Sequence, residues 1–165
     1  MIFLFMRSEE KISYTVLVII TVFIAYIVLN AAVTFDGGDG MQHYLISRYS
    51  WKHPELFLHH WGKPLFTLLS SPFSQFGLKG IALFQIVCTV ASCYFCMQIA
   101  KKLELRFLGL IPLFIFFSPI YFAVINSGLT EILFGCLLLF SIWMVFEKKF
   151  IAASIAASFL SFVRV

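Results

Sequence analysis

Charge is scarce in this chain. Asp, Glu, Lys and Arg together make up 12% of its 165 residues against 61% hydrophobic, a balance outside the soluble globular range and typical of an integral membrane protein. The net charge of +4 comes with no basic stretch interleaved with aromatics, so it provides no footprint for nucleic acid. Cys88, Cys93, Cys96 and Cys136 all lie inside apolar runs, where they read as small packing residues rather than a disulfide framework. The Cys93-x-x-Cys96 spacing lacks the polar surroundings of a redox or zinc site. Asp36-Gly37-Gly38-Asp39-Gly40 has acidic residues and glycines but not the spacing or closing Glu of a calcium hand, and its glycines read as a tight turn. His53, His59 and His60 have no zinc spacing. No metal ligand set is therefore assigned, and metal dependence stays open.

What the chain has in abundance is long apolar runs. After Arg7, Glu9, Glu10 and Lys11, the run Ile12 to Val33 is uncharged for about 22 residues, long enough to cross a hydrocarbon core of roughly 30 Å as a helix. It is too long for a typical signal peptide and ends without a good cleavage site, so it reads as a retained anchor. Gly80 to Ala100, Phe107 to about Ile125 and Gly128 to Phe146 follow as further spans, with Pro112 and Pro119 placed to kink or end the third. Phe150 opens a fifth run left incomplete at Val165. The expected fold is all-α: a polytopic transmembrane helical bundle, residues 1–165 forming one membrane domain, the amino-terminal part of a larger module.

The segment Pro64 to Phe76 is apolar but short, and broken by Pro64, Pro72 and several serines. Lys and Arg concentrate on the cytoplasmic side of membrane proteins. If this segment does not cross, the groups Arg7/Lys11, Lys101/Lys102/Arg106 and Lys148/Lys149 share one face; if it crosses, the last two groups move outside. The first arrangement is preferred. It makes Pro64 to Phe76 a re-entrant or interfacial piece, puts the amino terminus in the cytoplasm, and sets the loop 34–79 and the turn Asn126 to Thr130 together on the outer face of a plasma (inner) membrane.

Within that loop, Thr34 to Lys63 is a polar island holding Asp36, Asp39, Arg48, Lys52, Glu55 and all four histidines. Met41, Tyr44, Leu45 and Tyr49 fall at helical spacing, which predicts a short amphipathic helix on the membrane surface. Asp39 with Gln42 three residues later matches a capping box, in which the carboxylate accepts backbone N–H bonds. A capping carboxylate beside a cleft can also face a substrate, so both roles stay open for Asp39. Glu131, one turn into the fourth span, is costly in lipid and is by default a functional candidate. Its place near a helix amino terminus reduces that cost, and a structural role stands beside the functional one.

The order of these parts resembles the amino-terminal part of the GT-C glycosyltransferases, such as protein O-mannosyltransferases and lipid A aminoarabinose transferases. The resemblance rests on one amino-terminal span, an outer loop opening with Asp39 followed by His43-Tyr44, a surface helix, Trp61-Gly62-Lys63-Pro64, and a helix opening Ser127-Gly128-Leu129-Thr130-Glu131. It implies transfer of a sugar from a polyprenyl-phosphate donor to a glycan, lipid or protein acceptor at the outer membrane surface, with membrane lipid around the protein. In that family the first outer loop carries an acidic catalytic base, usually as Asp-Glu. Asp39 matches the Asp, and Gly40 departs from the Glu. By the same resemblance Asp36, His43, Tyr44, Arg48, His59, His60, Lys63 and Glu131 are substrate-binding candidates, the cationic ones facing the leaving phosphate. The rival readings are a transporter component, which would carry ionisable groups along its spans, and another enzyme of lipid-linked glycan assembly.

Overall fold

The computed structural model describes residues 2–31 and 34–164, with side chains from Glu9 onward. Regular structure among the described residues is entirely helical. In order come α1 (Ile2–Asn30), α2 (Asp39–Tyr49), a 3-10 turn (Pro54–Leu58), α3 (Pro64–Ser74), α4 (Leu78–Lys102), α5 (Leu110–Phe117), α6 (Pro119–Ile125), α7 (Glu131–Phe146), α8 (Phe150–Ser158) and a closing 3-10 turn (Phe159–Phe162). The expected end of the first run at Val33 lies outside the described residues; α1 itself closes at Asn30, whose side-chain amide donates to the Tyr26 carbonyl at 2.8 Å.

Two helices are long and apolar enough to cross a membrane, the Glu9–Asn30 part of α1 and the whole of α4. The other expected spans are shorter. At 16 residues α7 rises about 24 Å. The third is divided in two at Pro119: Ser118 before it is extended (φ −60°, ψ 123°), as the proline ring demands of its predecessor, and Pro119 opens α6. Pro112 does no such damage, because it sits in the first turn of α5 where its missing N–H has no helical partner to lose. Inside α3, Pro72 leaves the Leu68 carbonyl without its usual amide donor, and the Ser71 hydroxyl donates to that carbonyl at 3.1 Å.

α4 is the hub, packed against α1, α3, α5 and α7. Its buried residues include Gly80, Ala82, Cys88, Ser92, Cys93 and Ala100, small groups that let neighbouring backbones come close. By contrast α1, among its described side chains, buries only the stripe Ser13, Leu17, Ile20, Ile24 and Val28, spaced three to four residues apart, and leaves Val18, Ile19, Val22 and Phe23 uncovered.

α1 and α4 are antiparallel. At one pole Lys101 pairs with Glu10 at 2.7 Å, Gln98 donates to the Tyr14 hydroxyl at 2.9 Å, and Lys102 pairs with Glu147 at the end of α7 at 2.9 Å. At the other pole Thr34, just past α1, and Leu78, opening α4, line one recess. The chain between them leaves and re-enters at that pole, so α3, about 16 Å long, does not traverse the helix assembly. The last segment runs back along α7 until Arg164 stands 3.9 Å from Glu131 at the start of that helix.

Candidate functional site

The site lies at the pole opposite the ion pairs, where the loop after α1 meets the turn before α7. Backbone bonding joins them: the Phe35 amide donates to the Asn126 carbonyl at 2.8 Å. Gly40 and Gly128 then meet backbone to backbone. A methyl group on Gly40 would lie 2.9 Å from both the Gly128 nitrogen and the Asp36 carboxylate, and one on Gly128 would overlap the Gly40 carbonyl. Gly40 is thus fixed by a tertiary contact.

The capping assignment needs correction. The carboxylate that ties down the start of α2 is that of Asp36, not Asp39. Asp36 accepts the Gly38 amide at 3.0 Å on one oxygen and the Gly40 amide at 2.5 Å on the other. Those two donors, Gly40 first, hold its carboxyl below the usual carboxylate range, with a smaller contribution from His43. Gly38 occupies the cap position, and Asp39 is the first helical residue, with no side-chain capping bond. Gly37 and Gly38 let the chain turn within two residues, so the carboxylate three positions upstream reaches the helix start. Asp39 is left exposed.

The short helix expected after Asp39 is α2, and it turns one face to the protein and another outward. Its inward face is polar, because its partners there are hydrogen-bonding groups. His43 is buried and its Nδ1 lies 3.1 Å from the Gly128 carbonyl, which can only accept, so Nδ1 carries the hydrogen. Its ring packs against Phe66 with centroids 5.6 Å apart. Ser47 meets Ser70 at 2.8 Å, one turn further along both helices, so α2 and α3 run parallel. Of the four expected apolar positions, Tyr44 is buried while Leu45 and Tyr49 are exposed. Arg48 donates to the Tyr44 hydroxyl at 2.5 Å and lies over its ring at 5.8 Å, and Gln75 holds the Arg48 carbonyl at 3.0 Å.

The sequence reading missed Gln85. It is fully buried in α4, and its side-chain amide donates to the carbonyls of Ser127 at 3.2 Å and Leu129 at 2.5 Å, holding the turn that carries Gly128. A Gln well inside an apolar span was the available signal, since such a group is costly unless it is used. Its carbonyl oxygen has no hydrogen-bond partner, and neither has one carboxylate oxygen of Glu131. Glu131 opens α7, at the same pole as Asp36 and Asp39 rather than midway along a span.

The recess between these parts is small, about 250 Å³ including its open mouth, and is walled by Asp36, Met41, Ile81, Ala82, Ser127 and Gly128. It joins Asp36 to the turn before α7 but does not collect the other candidates. His59 and His60 are exposed on the segment between α2 and α3, with rings stacked at 5.1 Å, and His53 lies 3.4 Å from Glu55. Lys63 is half-buried and precedes Pro64 at a positive φ of 56°. Among the described residues no three His, Cys, Asp or Glu side chains group as a metal site. Comparison of the chain with family models, with curated proteins and with solved structures gave no match.

Proposed function

We propose that the chain belongs to a multi-pass membrane glycosyltransferase, in which α1, α4 and the shorter helices form a transmembrane bundle and the pole carrying Asp39 faces outward. The reaction moves a sugar from a polyprenyl-phosphate carrier to an acceptor hydroxyl. The acceptor oxygen bonds to the anomeric carbon, the bond from that carbon to the phosphate oxygen breaks, and the hydroxyl proton passes to the Asp39 carboxylate. Arg48 and Lys63 are assigned to the departing phosphate.

One observation carries this reading: a carboxylate not consumed by capping, Asp39, sits next in sequence to Gly40, at the junction where the first loop docks on the start of α7. The transporter reading draws less support, because Glu131 stands at a helix start with Arg164 3.9 Å away rather than along a path through the span.

The test is transfer of labelled sugar from a polyprenyl-phosphate donor in membranes containing the full-length protein. Product dependent on the protein is expected; absence of transfer with every polyprenyl-phosphate sugar tried, at verified protein levels, contradicts the reading. Orientation is checked separately by cysteine labelling at Lys52, an exposed position, unlike the buried Ser50 nearby. A label at Lys52 should react from outside and one at Lys102 only after permeabilisation.

A further inference from the structure

From Trp51 to Trp61 the chain buries no residue, although it carries some of the most uncovered apolar groups of the polar pole. Leu58 is 81% exposed and Trp51 63%, and Trp51 packs edge-on to Phe57 with centroids 6.2 Å apart. Interleaved with them are exposed Lys52, His59 and His60, while the one acid, Glu55, is engaged by His53 at 3.4 Å.

The uncovered face along the middle of α1 is different in kind: Val18, Ile19, Val22 and Phe23 expose only hydrocarbon, and beyond them the exposed Tyr26 adds a hydroxyl near the end of the helix at the polar pole. The two faces differ as a bilayer differs with depth. Aliphatic groups match the acyl core, whereas tryptophan mixed with cations and N–H donors matches the headgroup level, where lysine gains from anionic lipid. The segment also sits at the pole where α1 ends and α4 begins, joined to α2 and α3 on either side.

We propose that the Trp51–Trp61 segment docks on the anionic lipid headgroups of the bilayer that α1 and α4 cross. Trp51, Phe57 and Leu58 enter the boundary between headgroups and acyl chains, and Lys52, His59 and His60 direct their N–H groups to lipid phosphate oxygens. The proposal rests on the membrane placement of α1 and α4 and is independent of sugar transfer.

The experiment uses spin labels on the full chain in lipid nanodiscs of phosphatidylcholine, with or without phosphatidylglycerol. One label replaces Leu58 (Leu58→Cys) and a control replaces Ile19 on α1 (Ile19→Cys), both in a Cys96→Ala background because the other three cysteines are buried. Accessibility to oxygen and to a water-soluble nickel chelate reads depth. With phosphatidylglycerol the Leu58 label should favour oxygen, and Lys52→Gln should lower the inserted population about fivefold, the factor per lysine near an anionic surface. High salt should have the same effect. A Leu58 label open to nickel in both lipid compositions, while the Ile19 label lies in hydrocarbon, overturns the docking and leaves the spanning helices intact. A Leu58 label shielded from both reagents in either lipid also overturns it, since protein would then be covering the segment. An Ile19 label open to nickel removes the membrane placement itself.

Discussion

The two poles of the protein are held together by different means. At the basic pole, side chains at helix ends meet across water-accessible gaps, as in Lys101 with Glu10 and Lys102 with Glu147. At the polar pole, backbone meets backbone: Phe35 bonds Asn126, Gly40 rests on Gly128, and Asp36 and Gln85 bind main-chain groups. Long charged side chains can be replaced or can rearrange, so the first pole tolerates change. The second is set by close approach and by hydrogen bonds to main-chain groups.

Gly128→Ala should break this contrast most severely. The new methyl group would overlap the Gly40 carbonyl, and backbone on backbone leaves no flexible side chain to yield. We expect destabilisation at or above the upper end of the roughly 1–3 kcal/mol typical of overpacking, read as a lowered thermal midpoint in detergent. Gln85→Leu comes next. It removes both donors to Ser127 and Leu129 and leaves two carbonyls unpaired, a cost of about 1–3 kcal/mol, reduced in part because the unpartnered Gln85 oxygen goes as well. The same melting measurement reads it.

Asp36→Ala should cost about 1 kcal/mol, like the loss of other carboxylate caps. This contribution also depends on pH. The Gly40 and Gly38 amides hold the Asp36 carboxyl below its ordinary value, so the stabilisation is complete above the unfolded-state value of about 3.9 and is lost as pH falls through the lower folded value. Acid titration of the melting midpoint should lose that component in Asp36→Asn. Lys101→Gln should have the smallest effect, under about 1 kcal/mol and weaker still in high salt, because its pair with Glu10 is partly exposed. A larger loss at Lys101 than at Gln85 would reverse the comparison.

These differences follow what could be read from the sequence. The charge-free runs that became α1 and α4 are local patterns, and the break at Pro119 follows from ring geometry, so both were legible. The cap was not. Asp39 and Gln42 have the spacing of a capping box, but the turn at Gly37 and Gly38 brings Asp36 onto the same amides. The reason for Gly40 lies 88 positions away at Gly128, and α2 turns a polar face inward because its partners are Ser70 and a main-chain carbonyl. Both depend on tertiary contacts that no local pattern encodes.

The central claim is that the two neighbouring carboxylates divide their duties, Asp36 holding the loop and Asp39 meeting the acceptor. The direct measurement is sugar transfer in membranes by Asp39→Asn and Asp36→Asn variants of the full-length protein at matched protein levels. Asp39→Asn should keep the wild-type melting midpoint yet lose transfer by about 10²- to 10⁴-fold, because an amide cannot take the acceptor proton. Asp36→Asn, which keeps one acceptor oxygen, should melt lower while retaining most of its transfer. Full transfer by Asp39→Asn, or a loss of transfer confined to Asp36→Asn without any change in melting, would contradict the division.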